Sequence, residues 1–212
     1  MVVAASGNDG WADAVADPAC VPRVVRVGAV YDRAFQQFDT QVCRDFNVLP
    51  DQVTCFSNSA GFLSMLAPGA VIQFATLAFA GTSQAAPHVA GAIAALRTRG
   101  SRYRTDPSDC MVARLVKTGT GVSDPRNGLL FPRLDLDRAT QTLPNSTGDC
   151  DGNGRVEVSE VETGVSIILG DLNLALCPRF DPTEDGTVTI DELVTSVNLR
   201  IHNCAVGASG VV

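Results

Sequence analysis

Three short apolar runs, Val2–Ala5, Val24–Val30 and Val71–Phe74, show no inside–outside alternation and are separated by glycine and proline turns. Strands of this kind are buried on both faces, which confines them to a parallel sheet covered by helices. Two helical stretches supply the cover. One runs from Gln84 to about Arg97 with Val89, Ile93 and Leu96 on one face; the other runs from about Ser108 to Lys117 with Val112 and Leu115 inward. Asp106 or Ser108 is placed to cap the second. This is α/β order, in which ligands collect at the carboxyl ends of parallel strands.

The composition fits a globular chain. Of 212 residues 45% are hydrophobic and 18% charged, which excludes disorder, collagen and a coiled coil. A net charge of −7 argues against nucleic acid as a partner, because phosphate binding needs a basic face. The charge is unevenly spread: residues 1–145 carry thirteen Lys/Arg against twelve Asp/Glu, and residues 146–212 carry three against eleven. A neutral front and an acidic tail therefore do different physical work. We divide the chain into residues 1–142, a linker at 143–148 and a second domain at 149–204. The longest oily region, Gly61 to Gly81, is interrupted by Ser64, Pro68, Gln73 and Thr76, so no membrane span is expected. The opening MVVAASGNDG has neither the basic start nor the long apolar run of a secretory signal and reads as a strand.

Seven cysteines, at 20, 43, 55, 110, 150, 177 and 204, fit no CxxC zinc spacing. Disulfides are the better reading. Cys43 and Cys55 bracket a polar loop whose closure would stabilise the fold by about 3 kcal/mol through the entropy of the unfolded chain. That places the protein in an oxidising, extracellular compartment. Some of the seven are otherwise small buried hydrophobes, and the odd number leaves one thiol unpaired in a monomer.

The stretch GTSQAAPHVAGAIAAL, Gly81 to Leu96, puts Ser83 between a glycine turn and a helix. Free backbone N–H groups and the helix dipole favour negative charge there. On placement alone a serine at that point is a candidate N-cap. GTSQAAPHVAG, however, closely resembles the nucleophile motif of the subtilases, the subtilisin-like serine peptidases. VVAASGNDG, Val2 to Gly10, resembles the segment carrying that family's oxyanion asparagine. FSNSAGFLSMLAPG, Phe56 to Gly69, is similar to the segment upstream of the nucleophile, and PRVVRVGAVYD, Pro22 to Asp32, to an intervening strand. The resemblance covers about residues 2–140 and implies a subtilisin-like α/β fold acting on peptide or protein substrates. It assigns Ser83 as nucleophile and Asn8 as oxyanion donor; without it, Asn8 is a residue of an Asn-Asp-Gly turn.

Acyl transfer also needs a base. In this family the order along the chain is Asp, His, Ser, and neither acid nor base precedes Ser83 at the distance the family requires. His88 lies five residues past Ser83 on the same helix, about 140° round, which suits a structural role. His202 sits in the acidic tail and reads as an exposed helix-end residue. The plainest expectation is an incomplete peptidase domain whose N-terminal half is missing, inactive alone, with strand edges left open where neighbours are absent.

In the tail, Asp149 to Glu160 reads D-C-D-G-N-G-R-V-E-V-S-E, an EF-hand pattern. Asp149, Asp151 and Asn153 take positions 1, 3 and 5, and Gly154 makes the turn. Arg155 offers its carbonyl, Glu157 takes position 9 and Glu160 position 12. Asp181 to Glu192 repeats the design 32 residues on, with Asp181, Thr183, Asp185, Thr187, Thr189 and Glu192 as the candidate calcium ligands. Thr183 in place of a carboxylate or amide predicts weaker binding. Each loop runs into a helix with apolar spacing, Val161, Val165 and Leu169 after the first, Leu193, Val197 and Ile201 after the second. The arrangement resembles a dockerin-like EF-hand pair, a small α-helical second domain. Dockerins bind a cohesin partner, but the wide separation here, with Cys177 inside it, argues against that. Asn145 begins an N-glycosylation triplet. Two functions follow: the serine-bearing part of a secreted endopeptidase with a calcium module, or a non-catalytic calcium-binding or adhesion protein on a degenerate peptidase scaffold.

Overall fold

The computed structural model describes residues 1–98, 104, 106–141, 147–152 and 156–202. Its strands are β1 (Val2–Ala5), β2 (Val24–Tyr31), β3 (Phe35–Asp39), β4 (Arg44–Val48), β5 (Met65–Ala70), β6 (Ile72–Phe74), β7 (Leu77–Phe79), β8 (Thr120–Ser123) and β9 (Leu130–Arg133). Its helices are α1 (Thr82–Leu96), α2 (Ser108–Thr118), α3 (Leu136–Gln141), α4 (Val158–Ile168) and α5 (Ile190–His202). Two compact units emerge, residues 1–98 with 115–139, and residues 99–114 with 140–212, so the division falls inside α2.

The first unit is built on a five-stranded sheet of order β1-β2-β5-β9-β8. The pairs β1/β2, β2/β5 and β5/β9 are parallel; only β8/β9 is antiparallel. Val27, Ala29, Val30 and Tyr31 of β2 and Met65, Leu66 and Ala67 of β5 are fully buried, as non-alternating apolar runs require. Helix α1 packs on β1, β2 and β5 through Ala85, Val89, Ala92, Ile93 and Leu96. On α2, Val112 and Leu115 are buried. Among the described residues β1 is paired on one side only, and Val2 on it is exposed.

The structure corrects one expected sheet strand. Residues 71–74 do not enter the parallel sheet; β6 pairs antiparallel with β7 in a separate hairpin. The strand beside β2 is β5, whose MLAPGA sequence looks like a turn because of Pro68 and Gly69. Pro68 is tolerated next to a register shift after Val30, the kind of irregularity where proline survives in a sheet. Gly69 is required by close packing: a Cβ there would lie 2.6 Å from Ala29 Cβ and 2.8 Å from the Gly81 carbonyl. The polar stretch between β2 and β5 also holds an unforeseen hairpin, β3/β4. Phe35 and Phe38 on it gather around Tyr31, and the Cys43–Cys55 disulfide staples it. Cys20 is a free, exposed thiol, whose pKa the acceptor Asp17 pushes up.

In the second unit α4 packs on α5, and Cys150 is bonded to Cys177. Cys110 is disulfide-bonded as well. The expected inward face of α4 is only partly right. Val161 is half-buried, but Val165 and Leu169 are exposed, because the buried line is Glu160 and Gly164. The ring of Phe180 lies against Gly164 so closely that no Cβ fits there. On α5 the buried line is again the loop glutamate and the residue four on, Glu192 and Ser196, with Leu193 and Val197 half-buried.

Candidate active site and the acidic loops

Helix α1 starts at Thr82, with Gly81 as its N-cap and no side-chain capping bond. Ser83 is therefore the second helical residue and not the cap, which removes the capping explanation for it. Its N–H belongs to the first turn, where no carbonyl within the helix can pair it. Pro87 inside α1 has no N–H, so the Ser83 carbonyl also lacks its usual partner four residues on. The Gly81 N–H is held by the Gly69 carbonyl at 2.8 Å, which seats the start of α1 on the end of β5.

Asn8 lies in the turn that follows β1. Its Oδ1 accepts from the Thr82 N–H at 2.8 Å and from the Thr82 hydroxyl at 3.0 Å. Both contacts need an acceptor, which turns the amide nitrogen the other way. Asn8 Nδ2 lies 3.4 Å and Ser83 Oγ 3.0 Å from the place a Gly81 Cβ would occupy. The nucleophile candidate and the amide donor thus face one point above Gly81, close to the carboxyl ends of β1 and β5.

Ser83 is exposed, and its hydroxyl donates to Gln84 Oε1 at 2.9 Å. His88 Nδ1 sits 2.8 Å from the Gln84 carbonyl; a carbonyl only accepts, so that nitrogen carries the proton. Neither a histidine nor a carboxylate reaches Ser83 Oγ among the described residues. A groove of about 560 Å³ runs along this face of α1, lined by Pro68, Ile72, Ser83, Pro87, His88 and Leu136 among others. The side chain of His202 lies outside the described residues.

Below the turn is a charged pair that no sequence pattern announces. Asp124 is completely buried and takes a two-pronged bond from Arg126, Nε to Oδ1 at 2.9 Å and Nη2 to Oδ2 at 2.6 Å. Burial works to raise the Asp124 pKa, but the bonds and charge of Arg126 outweigh it and hold the carboxyl below its ordinary value.

In the first acidic loop the carboxylates of Asp149, Asp151 and Glu160 offer oxygens all within 4.8 Å of one another. One calcium ion at 2.3–2.6 Å from each oxygen requires separations of no more than about 5 Å, so this donor set of hard oxygens fits the ion. Glu160 also ties the loop to α4: its Oε1 accepts from the N–H of Cys150 and Asp151, and its Oε2 from Glu157 N–H in a capping box. Arg179 adds a contact that the sequence gives no hint of, Nη1 to Asp149 Oδ2 at 3.0 Å. Asn153, Gly154, Arg155, Asn145 and Cys204 lie outside the described residues.

The second loop closes on itself. Asp181 accepts from the Thr183 hydroxyl and the N–H of Asp185 and Gly186. The Thr183 hydroxyl lies 3.2 Å from Glu192 Oε1, and Thr189 forms a reciprocal cap with Glu192. Thr187 donates its hydroxyl and N–H to Asp185, which lowers that carboxyl's pKa. Only the first loop gathers three carboxylates among the described residues.

Comparison with known proteins bears on the first unit. The sequence pattern of the subtilase family, peptidase S8, matches residues 1–129. An intracellular serine protease of Paenibacillus polymyxa is 31% identical over 149 residues, covering 62% of this chain and 40% of its own length. The prenylagaramide maturation protease PagA superimposes with a TM-score of 0.50 at 26% identity, over 66% of this chain and 50% of that one. The self-cleaved protease domain of PatA gives 0.46 at 27% identity, over 66% and 49%. The chain thus spans half or less of the length of these relatives.

Proposed function

Because the chain belongs to the subtilase family, we propose that its first unit supplies the nucleophile, Ser83, and an oxyanion donor, Asn8, of a serine endopeptidase acting on peptide or protein substrates. The observation that carries this reading is that Ser83 Oγ and Asn8 Nδ2 lie on the same side of Gly81, 3.0 and 3.4 Å from where its missing Cβ would stand. A substrate carbonyl carbon that approaches Ser83 Oγ from the open side of Gly81 meets the hydroxyl. As the new C–O bond forms, the carbonyl oxygen gains charge and accepts from the Asn8 amide and the Ser83 N–H, both already in place. Losing such a side-chain donor raises the barrier by about 2.7–4 kcal/mol, the range known for subtilisin itself.

The serine proton needs a destination. Gln84 Oε1, its present acceptor, belongs to a neutral amide and cannot hold it, and His88, whose Nδ1 donates to the Gln84 carbonyl, makes no bond to the Ser83 hydroxyl. The base and its orienting acid are therefore supplied by polypeptide beyond these residues, and the 212-residue chain alone does not turn over. The second unit is a calcium module: Asp149, Asp151 and Glu160 hold the ion in the first loop, and Asp181, Thr183 and Glu192 form a weaker second site. Bound calcium supplies positive charge that offsets the clustered carboxylates. The Cys43–Cys55 and Cys150–Cys177 bonds support an oxidising, extracellular location.

The test is hydrolysis of a chromogenic peptide by the purified monodisperse chain and by the same chain preceded by its upstream in-frame sequence. The expected result is cleavage by the longer protein only, abolished by Ser83→Ala. Cleavage by the short chain that Ser83→Ala removes overturns the claim of a missing base. Undiminished cleavage by the longer Ser83→Ala protein overturns the nucleophile. A stop codon upstream, with no acid- and base-bearing segment, favours the non-catalytic calcium-binding reading.

A further inference from the structure

Asn8 is exposed and sits in a turn, Gly7 to Trp11, with little packing of its own. What fixes that turn is a completely buried residue from another part of the chain, Asn58. Asn58 Oδ1 accepts from the N–H of Asp9 at 2.9 Å and of Trp11 at 3.1 Å, and its Nδ2 donates to Asp9 Oδ2 at 2.9 Å. Its backbone grips the other side of the turn. The Asn58 N–H donates to the Gly7 carbonyl at 3.0 Å, and the Asn58 carbonyl accepts from the Ser6 hydroxyl at 2.7 Å. Gly7 has φ +110°, and a Cβ on it would collide with Asn58 Nδ2, so the turn is moulded around this one side chain.

We infer that Asn58 is a positioning residue that sets where the Asn8 amide points. Residues on both sides of Asn8 are bonded to Asn58, while among the described residues the tip of Asn8 is bonded only to Thr82. Asn58 beneath and Thr82 at the end anchor the Asn8 side of the turn, while the Gly10 N–H on the Phe56 carbonyl and the Trp11 carbonyl on the Ser59 N–H hold its far side. The segment that carries Asn58 is itself held by Arg126, whose Nη1 donates to the carbonyls of Cys55 at 3.0 Å and Ser57 at 2.7 Å. An aliphatic residue at 58 would leave two turn N–H groups and the Asp9 carboxylate without these partners, and the turn would sample other shapes. The functional weight of this inference rests on the oxyanion reading of Asn8, but its structural content does not.

The experiment is nuclear magnetic resonance on the full chain with its disulfides intact, comparing Asn58→Ala, Asn58→Asp with and without Asp9→Asn, and the surface change Asp9→Ala. Two probes are read: amide exchange at Thr82, whose N–H is bonded to Asn8 Oδ1, and the side-chain amide resonances of Asn8. Exchange at Val27 and Val89, in the centres of β2 and α1, is the control. Asn58→Ala is expected to speed Thr82 exchange at least tenfold and to move the Asn8 side-chain amide resonances to the positions of a free asparagine, with Val27 and Val89 unchanged. Asn58→Asp keeps the acceptor but sets a carboxylate against Asp9, so it should recover Thr82 protection only when combined with Asp9→Asn, which restores a donor–acceptor pair. Asp9→Ala, which removes one bond and nothing buried, should give a smaller change of the same kind. Unaltered Thr82 exchange and Asn8 resonances in a folded Asn58→Ala overturn the inference. Should that variant not fold, unaltered readings in Asp9→Ala overturn it, as does parallel loss of protection at all three amides, which marks a general structural role. None of these readings requires hydrolysis, so a failure of Ser83 as nucleophile leaves them interpretable.

Discussion

Replacing Gly69 with alanine should unseat the start of α1. The added Cβ would stand 2.6 Å from Ala29 Cβ, 2.8 Å from the Gly81 carbonyl and 3.3 Å from Ala85 Cβ. None of these is the free end of a flexible side chain, so β5 and the start of α1 must separate. Overpacking of this kind costs about 1–3 kcal/mol. The same separation stretches the bond from Gly81 N–H to the Gly69 carbonyl, now 2.8 Å, at a further cost of about 0.5–1.5 kcal/mol. A loss of about 2–4 kcal/mol results. With a urea dependence of about 2 kcal/mol/M for a unit of this size, the midpoint should fall by roughly 1–2 M. Trp11 is the sole tryptophan and lies in the first unit, so its fluorescence reports that unit's unfolding alone. A midpoint within about 0.3 M of the parent, which corresponds to roughly 0.6 kcal/mol on the same slope, refutes the packing argument.

Two further outcomes are expected. Asp124 has a folded pKa below its ordinary value of 3.8, so its pairing with Arg126 stabilises the first unit fully above that value. The contribution disappears as pH falls through the lower, folded pKa. Asp124→Asn should lose about 3 kcal/mol at neutral pH, the low end for a broken buried pair because Arg126 keeps some solvent contact. It should also flatten the acid limb of a stability–pH curve measured by urea unfolding; an unchanged acid limb contradicts this. For the second unit, calcium at a hundred times its dissociation constant should add about 2.7 kcal/mol. The calorimetric melt of that unit should rise accordingly, and Glu160→Gln should remove most of the rise. Identical melts in EDTA and in millimolar calcium would dispose of the calcium reading.

Much of the site was legible because its segments are short and local. GTSQAAPHVAG and VVAASGNDG carry the residues that meet above Gly81, and their spacing to glycine turns is a property of the chain itself. The Cys43–Cys55 pair was legible for the same reason, a short polar loop between two cysteines. The strand β5 was hidden because Pro68 and Gly69 read as a turn until the neighbouring β2 and α1 show why those residues are needed. On α4 the apolar spacing pointed to Val165 and Leu169, which are exposed, because it takes no account of Phe180, which comes from the connecting segment and packs on Gly164.

The sequence by itself determined the α/β character of the first unit, the neutral and acidic halves, and the candidate serine, asparagine and loop carboxylates. The α/β character, the two halves and the loop carboxylates follow from periodicity, charge or spacing; the serine and the asparagine follow from the resemblance of two short motifs to a known family. Only the tertiary structure decided that Gly81, not Ser83, caps α1, that Asn8 turns its nitrogen toward Ser83, and that Asn58, Asp124 and Arg126 hold the turn from below. The bonds that Asn8, Asn58 and Arg126 make across the turn and its support join residues 47 to 74 positions apart, and no local pattern encodes a hydrogen bond whose two ends meet only after the sheet has formed.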